Sequence, residues 1–239
     1  MMAAYAAAQN HEVWLFEKNE KLGKKLFITG KGRCNLTNSA EIESFFSNVC
    51  RNAKFLYSAF YQFTNQDLMA ALEKNGLKLK EERGGRVFPA SDKSSDVIKT
   101  LERMLRGAGV VIRLHAHVDE ILIQSGRIAG LAVNGEKMPF DKVILATGGY
   151  SYPLTGSTGE GHEMAQKLGH TIEQIHPSLI PLVSPDPICK QLQGLSLKNV
   201  SLALLEGKKQ RYFEQGEMLF THFGVSGPLV LSASAQICD

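Results

Sequence analysis

The chain is short of cysteine, of charge of one sign and of long apolar runs, and each shortage removes a class of protein. Four cysteines stand far apart among 239 residues, Cys34, Cys50, Cys189 and Cys238, with no CxxC pair. A disulfide framework or a structural zinc site needs more thiols at closer spacing, so reduced thiols in a cytoplasm are expected, and no metal. Lys and Arg number 27 against 24 Asp and Glu, a net charge of +3, and the pI is near 8.6. That is too mild for a nucleic-acid surface, which calls for a basic stripe, although phosphate-bearing ligands suit it. No run approaches the length of a membrane span. The start lacks the basic region and apolar stretch of a secretory leader. What remains is 44% hydrophobic and 21% charged, an ordinary globular balance and enough for one large domain or one and a half.

A glycine loop is also absent where one is expected. Val13–Phe16 is an apolar run that stops at Glu17. An acid at the carboxyl end of a second parallel strand is where a dinucleotide-binding fold holds a ribose, because a carboxylate accepts from two hydroxyls at once. The glycines of GxGxxG belong about 20 residues earlier. Ahead of Val13 stands only Met1–Ala8, Ala- and Met-rich, which reads as a buried helix with Asn10 as its exit. Counting back puts the glycines just before residue 1, so the chain is expected to start inside the first βαβ unit. A short αβ pair ending in Glu is also common in ordinary proteins.

Downstream, residues 39–75 read as helical, with Thr64 or Asn65 capping Asp67–Asn75 and Gly76 closing it. Leu77–Lys80 alternates as a strand before the Gly84-Gly85 turn. Ser94 or Ser95 is expected to cap a helix over Asp96–Arg106. Val110–Leu114 is a strand. Val118–Gln124, Arg127–Val133 and Glu136–Phe140 form an antiparallel meander, joined by Ser125-Gly126 and Asn134-Gly135. Lys142–Ala146 has no polar alternation and predicts a buried parallel strand, ending at Thr147-Gly148-Gly149. A helix follows over His162–Leu168. From Pro177 prolines mark a linker, and short strands with glycine turns predict a second, β-rich domain.

The segment Thr29–Asn38 is the central candidate site. Gly30 and Gly32 permit a tight path that points N–H groups at phosphate or flavin oxygens. Arg33 can neutralise a pyrophosphate or pair with an electron-rich ring edge, and Asn35 and Thr37 offer uncharged hydrogen bonds. A P-loop would need Gly at 25 and Ser or Thr at 32; Lys25 and Gly32 stand there, which rules it out. Cys34 has no second cysteine nearby and reads as a packing thiol rather than a redox partner. Lys18, Lys24 and Lys25 can face adenosine or pyrophosphate, or form a solvated face. Arg86, Tyr152, His176, His222 and Ser226 are polar candidates for a substrate side. For Arg86 a turn brace stands beside a carboxylate or carbonyl clamp, and for His222 a structural role stands beside catalysis.

The runs GKKLFITGKGRCNLTN, GRVFPASDKSSDV, ATGGYSYPLTGSTGEG and LFTHFGVSGP resemble, in order and spacing, the BaiN-like bacterial flavoproteins, which are NAD(P)/FAD-dependent oxidoreductases. The likeness covers nearly the whole chain. The family pattern begins with a strand and GxGxxG loop ahead of residue 1 and continues past residue 239. The resemblance implies an α/β fold: a glutathione-reductase-type FAD-binding domain over 1–178, with its meander, then the start of an inserted β-rich domain over 179–239. It implies FAD as cofactor, held by Glu17, Lys18, Lys25, Gly30, Gly32, Arg33, Cys34, Asn35, the backbone of Val118 at the adenine edge, and Thr147, Gly148 and Gly149. NAD(P)H is the implied electron donor, and a small unsaturated or carbonyl compound the acceptor. Arg86 and His222 are the candidates for catalysis. No nucleic acid and no membrane are expected as partners. The rival expectation is a non-catalytic piece, or a phosphate- or nucleotide-binding module without flavin.

Overall fold

A computed structural model describes residues 1–237; the expectation of a reduced thiol at Cys238 lies outside the described residues. The chain divides into two compact units, one of Met1–Ser47 with Lys54–Ile172, the other of Asn48–Ala53 with the chain from Glu173 onward.

The first unit is built from α1 (Met2–Ala7), β1 (Trp14–Phe16), α2 (Lys24–Ile28), β2 (Thr37–Asn38), α3 (Ile42–Ser47), α4 (Tyr57–Gln62) and α5 (Asn65–Lys74). Then come β3 (Leu79–Glu82), β4 (Arg86–Pro89), α6 (Ser94–Gly107), β5 (Val111–Arg113), β6 (Val118–Gln124), β7 (Arg127–Val133), β8 (Glu136–Pro139) and α7 (Glu160–Lys167). Strand β1 pairs in parallel with β5, Leu15 opposite Ile112. Helix α6 buries Val97, Thr100, Leu101, Met104 and Leu105, the spacing that puts side chains on one helical face. That face packs with Cys34, Leu72 and Leu77 in one cluster and with Leu22 and Val110 in another, against which α1 also rests.

The unit also holds two antiparallel sheets. One has the order β2-β4-β3 and the other β6-β7-β8. The meander turns use Ser125-Gly126 and Asn134-Gly135, all four at positive φ, the geometry that two-residue hairpins require. Helix α5 opens on Thr64, one of the two caps expected, which forms a capping box with Asp67.

Several expectations need correcting. Helix α1, expected to be buried, has no buried residue. Lys142–Ala146 forms no strand: no described strand pairs with it, and Ile144 is 62% exposed. An apolar run becomes a parallel strand only when a neighbour takes its backbone hydrogen bonds. Neither Ser94 nor Ser95 caps α6; Lys93 holds the cap position. The Ser94 hydroxyl is buried and donates to the Phe27 carbonyl at 2.8 Å, tying α2 to α6. The strand expected over 77–80 lies two residues later, at β3, where it pairs with β4.

The second unit carries β9 (Leu182–Val183), α8 (Pro187–Gln191), β10 (Ser196–Glu206), β11 (Lys209–Thr221), β12 (Gly224–Ser226) and α9 (Pro228–Ser234). Its sheet has the order β10-β11-β12-β9. Strands β10 and β11 run 11 and 13 residues, longer than the short strands expected. Helix α9 buries Leu229, Val230 and Ala233. A Cβ at Gly216 would stand 3.1 Å from Leu229, so the missing side chain lets the helix sit close on β11.

Candidate functional site

Glu17 directly follows β1, and its backbone N–H donates to Arg113 O at the end of β5. Its Oε1 accepts from Asn19 N at 2.9 Å and Asn19 Nδ2 at 2.7 Å. Among the described residues Oε2 accepts no hydrogen bond, and the Met1 ammonium lies near enough to interact with the carboxylate electrostatically. Asn19 Nδ2 also reaches Thr155 O at 3.1 Å, and Lys24 Nζ reaches Asn19 Oδ1 at 3.2 Å. The acid is thereby fastened to the loop that follows Thr147-Gly148-Gly149.

Two lysines reinforce that junction. Lys18 Nζ sits 2.8 Å from Glu160 Oε1 and 2.9 Å from Thr158 Oγ1. Lys25 Nζ donates to Ser151 Oγ and O at 2.9 and 3.0 Å, and lies 4.1 Å over the Tyr152 ring. The chain of charges extends from Glu160 to His117 Nε2 at 3.5 Å, and from His117 Nδ1 to Asp119 at 2.9 Å. The bond to Lys18 holds the Glu160 carboxyl below its ordinary range. Asp119 is lowered by the Gly135 N–H it accepts, then by His117. Val118 therefore lies between two members of this network, at the head of β6 opposite Val133.

The loop after Ala146 folds tightly. Gly148 has φ +79, and a Cβ there would meet Ser157 Oγ at 3.0 Å. A Cβ at Gly161 would collide with Thr147 Oγ1, so helix α7 starts directly against the end of the 142–146 segment. The Tyr150 ring stacks on His162 at 5.3 Å and 2°. His162 Nδ1 is buried with no hydrogen-bond partner.

Thr29–Asn38 forms a second cluster. Gly30, Lys31, Gly32 and Cys34 all have positive φ, between 56° and 84°. Only the glycines adopt this without cost. Arg33 is right-handed and Cys34 left-handed, and their N–H groups donate within the loop, to Gly30 O at 3.2 Å and Thr29 O at 3.0 Å. Asn35 N makes no hydrogen bond among the described residues, and the residue is exposed. With its side-chain amide oriented to donate, Asn35 reaches Thr37 O and Val87 O at 3.1 and 3.3 Å. Cys34 is fully buried in the α5/α6 core, and burial pushes its thiol up, which agrees with a packing role. Arg33 points at protein carboxylates: Nη1 lies 2.7 Å from Glu82 and 3.3 Å from Asp92. Those two acids, and Lys80 beside them, carry no motif and escaped sequence reasoning.

The substrate-side candidates divide between units. Arg86 Nε donates to Arg83 O at 3.2 Å, bracing the Gly84-Gly85 turn. Tyr152 lies under Lys25. His222 meets Phe223 edge-on at 5.0 Å between β11 and β12, and Ser226 ends β12. His176 lines an open cavity of about 290 Å³ in the second unit with Cys50 and Arg51. No group of three or more metal-ligating side chains occurs among the described residues. None of the described helices is long and apolar enough to cross a membrane.

A parallel β1–β5 pair with an acid at the strand end and an attached meander fit a Rossmann-type domain. The chain belongs to the HI0933-like protein Rossmann domain family, which matches residues 1–233. It is 33% identical to the 3-dehydro-bile acid delta(4,6)-reductase of Clostridium scindens over 99% of this chain and 58% of that protein. It is 30% identical to the ribosomal RNA dihydrouridine synthase of Haemophilus influenzae over 97% of this chain and 57% of that one. The chain thus spans somewhat over half the length of these curated relatives. Among solved structures, a flavocytochrome c3 fumarate reductase matches 82% of the chain at 20% identity with a TM-score of 0.52, covering 44% of that protein. A quinol-fumarate reductase matches 82% at 18% identity with a TM-score of 0.53, covering 41% of that chain. At that identity the likeness is one of fold.

Proposed function

We propose that the chain carries most of the FAD-binding part of a flavin-dependent oxidoreductase. In this reading hydride passes from NAD(P)H to FAD and on to a carbon–carbon double bond conjugated to a carbonyl. The observation that carries it is the Glu17 carboxylate at the end of β1, with one oxygen free of hydrogen bonds among the described residues and the other fixed by Asn19, which also reaches the loop at Thr155. The residues present fit a dinucleotide. Glu17 Oε2 can accept from a ribose hydroxyl. The Asn35 N–H, which makes no hydrogen bond among the described residues, can donate to a phosphate or ring oxygen. Gly30 and Gly148, both at positive φ, give the close backbone approach such a ligand needs. The buried, unpartnered Nδ1 of His162 stands beside Gly149. Bound flavin supplies the hydride-carrying centre, which protein side chains lack. Lys18 and Lys25 hold the loop at 151–160, and Val118, at the head of the meander, offers backbone groups for a base edge. No acid–base side chain is assigned. The reduced thiols fit a reducing compartment such as the cytoplasm.

The test is the purified protein in full-length context. It should retain FAD and show flavin absorbance. Charge-assisted hydrogen bonds are worth about 1.5–3 kcal/mol, so Glu17→Gln should weaken FAD binding by about 10- to 100-fold. A colourless protein that gains no thermal stability from FAD overturns the reading.

A second substrate class rests on one finding, the 30% and 29% identity to two proteins named ribosomal RNA dihydrouridine synthases. A reduced nucleobase and a reduced enone demand the same hydride addition. NAD(P)H oxidation with an unsaturated steroid ketone in one arm and a ribosomal RNA transcript in the other separates the two.

A further inference from the structure

We propose that Arg33 is a positioning residue, which acts through Glu82, Asp92 and Phe88 to hold the Thr29–Asn38 backbone rather than lending its charge to a bound phosphate. The proposal rests on the reading of that loop as a cofactor site.

The geometry is that of a closed clamp. Arg33 Nη1 meets Glu82 Oε1 at 2.7 Å and Asp92 Oδ1 at 3.3 Å. Its guanidinium carbon lies 4.2 Å from the centre of the Phe88 ring, the stacked arrangement that planar, weakly hydrated Arg favours and Lys does not. Lys80 Nζ closes the other side, 2.5 Å from Asp92 Oδ2 and 3.5 Å from Glu82 Oε1. Both carboxylates lie between Arg33 and Lys80, so the Arg33 charge is already opposed by protein acids rather than left free for a pyrophosphate. Arg86 lies at its edge, 3.9 Å from Glu82.

Each partner sits on a different element. Glu82 ends β3, Phe88 is in β4, and Asp92 is in the turn before α6, where it too has positive φ. Phe88 is buried, and its ring edge would lie 3.3 Å from a Cβ at Gly30. The same ring therefore supports the guanidinium and the glycine turn. Leu36 N donates to Val87 O at 2.8 Å, which carries the loop onto β4. Four of the five residues 30–34 have positive φ, a backbone that needs outside support. The hydrogen bond between Arg33 and Glu82 is the chief cause that lowers the Glu82 carboxyl and raises the Arg33 guanidinium, and the bond to Lys80 is the chief cause that lowers Asp92.

The two roles for Arg33 predict opposite results for one variant. Glu82→Gln weakens the clamp but leaves Arg33 charged. If Arg33 contacts phosphate directly, freeing it tightens FAD binding. If Arg33 positions the loop, FAD binding falls, here by about tenfold, and the visible circular dichroism of the flavin changes. Glu82→Asp should restore part of both. Amide hydrogen exchange over residues 30–36 gives a readout that needs no flavin: it should speed up in Glu82→Gln and Arg33→Gln alike. In the double variant it should be no faster than in the worse single, as coupled partners require. Thermal unfolding confirms that each variant folds. Exchange unchanged in Glu82→Gln, or FAD bound more tightly, overturns the proposal. A wild-type protein that ignores FAD, while the exchange results hold, overturns only the cofactor reading.

Discussion

Gly30→Ala and Gly32→Ala form a pair whose difference can be worked out from the backbone. Both glycines are left-handed, at φ +56 and +84. An alanine forced into that region costs roughly 1–2 kcal/mol. At Gly32 that is the whole cost, because nothing lies within 4 Å of the added Cβ. At Gly30 the Cβ arrives 2.8 Å from Asn35 N and 3.3 Å from Phe88. Asn35 N is main chain and cannot swing aside, so an overpacking cost of about 1–3 kcal/mol adds to the strain. Gly32→Ala should therefore lose about 1.5 kcal/mol and Gly30→Ala about 3–4 kcal/mol. For a chain of this length each kcal/mol moves Tm by about 2–4 °C, so the midpoints should separate by several degrees. Differential scanning calorimetry of both variants beside the wild type measures this. Equal losses, or a milder effect at Gly30, would refute the claim that the turn is pressed against Asn35 and Phe88.

Lys31 has φ +57 without being glycine. Lys31→Gly should leave stability unchanged or raise it by about 0.5 kcal/mol, the strain relieved offsetting the added freedom of the unfolded chain; urea denaturation reads this. Glu160 and Asp119 are both lowered in the folded state. Their stabilisation is therefore present above the ordinary carboxylate pKa and is lost as pH falls through the depressed values. Unfolding midpoints from pH 6 down to pH 3 should fall less steeply in Glu160→Gln than in the wild type. Cys50 is exposed, whereas Cys34 and Cys189 are buried. Iodoacetamide at pH 8 should label Cys50 before Cys34 and Cys189, with Cys34 protected until unfolding; peptide mass spectrometry gives the order.

What the sequence made legible was local. Asn134-Gly135 determines its own turn, Thr64 finds Asp67 three residues away, and the apolar positions of α6 repeat at helical spacing. Glu17 could be placed because a strand end and an acid are neighbours in the chain. The contacts that build the site are remote. Lys18 and Glu160 are 142 residues apart, Arg33 and Glu82 are 49 apart, and Ser94 and Phe27 are 67 apart. A charge pair leaves no periodic trace, so Arg33 read as available for a phosphate and Ser94 as a helix cap. The run at 142–146 failed for the complementary reason. Its side chains satisfy the pattern of a buried strand, but pairing depends on a partner backbone that hydropathy does not encode.

The arrangement of strain and support around residues 30–34 ties these observations together. Left-handed residues in close succession do not hold by local preference, least of all at Lys31 and Cys34. Three separate anchors keep them: the Cys34 side chain in the α5/α6 core, the Leu36 N–H on β4, and the Arg33 clamp on β3 and the Asp92 turn. A segment whose only task was to connect α2 to β2 could relax into an unstrained loop, with Arg33 in solvent. The anchors instead fix the direction of the backbone between them, including the unbonded Asn35 N–H. Strain opposed from three sides, at a turn that leaves the Asn35 N–H without a hydrogen bond, suits a loop that binds by its backbone. On that ground, loosening any one anchor should reduce ligand affinity more than it reduces global stability.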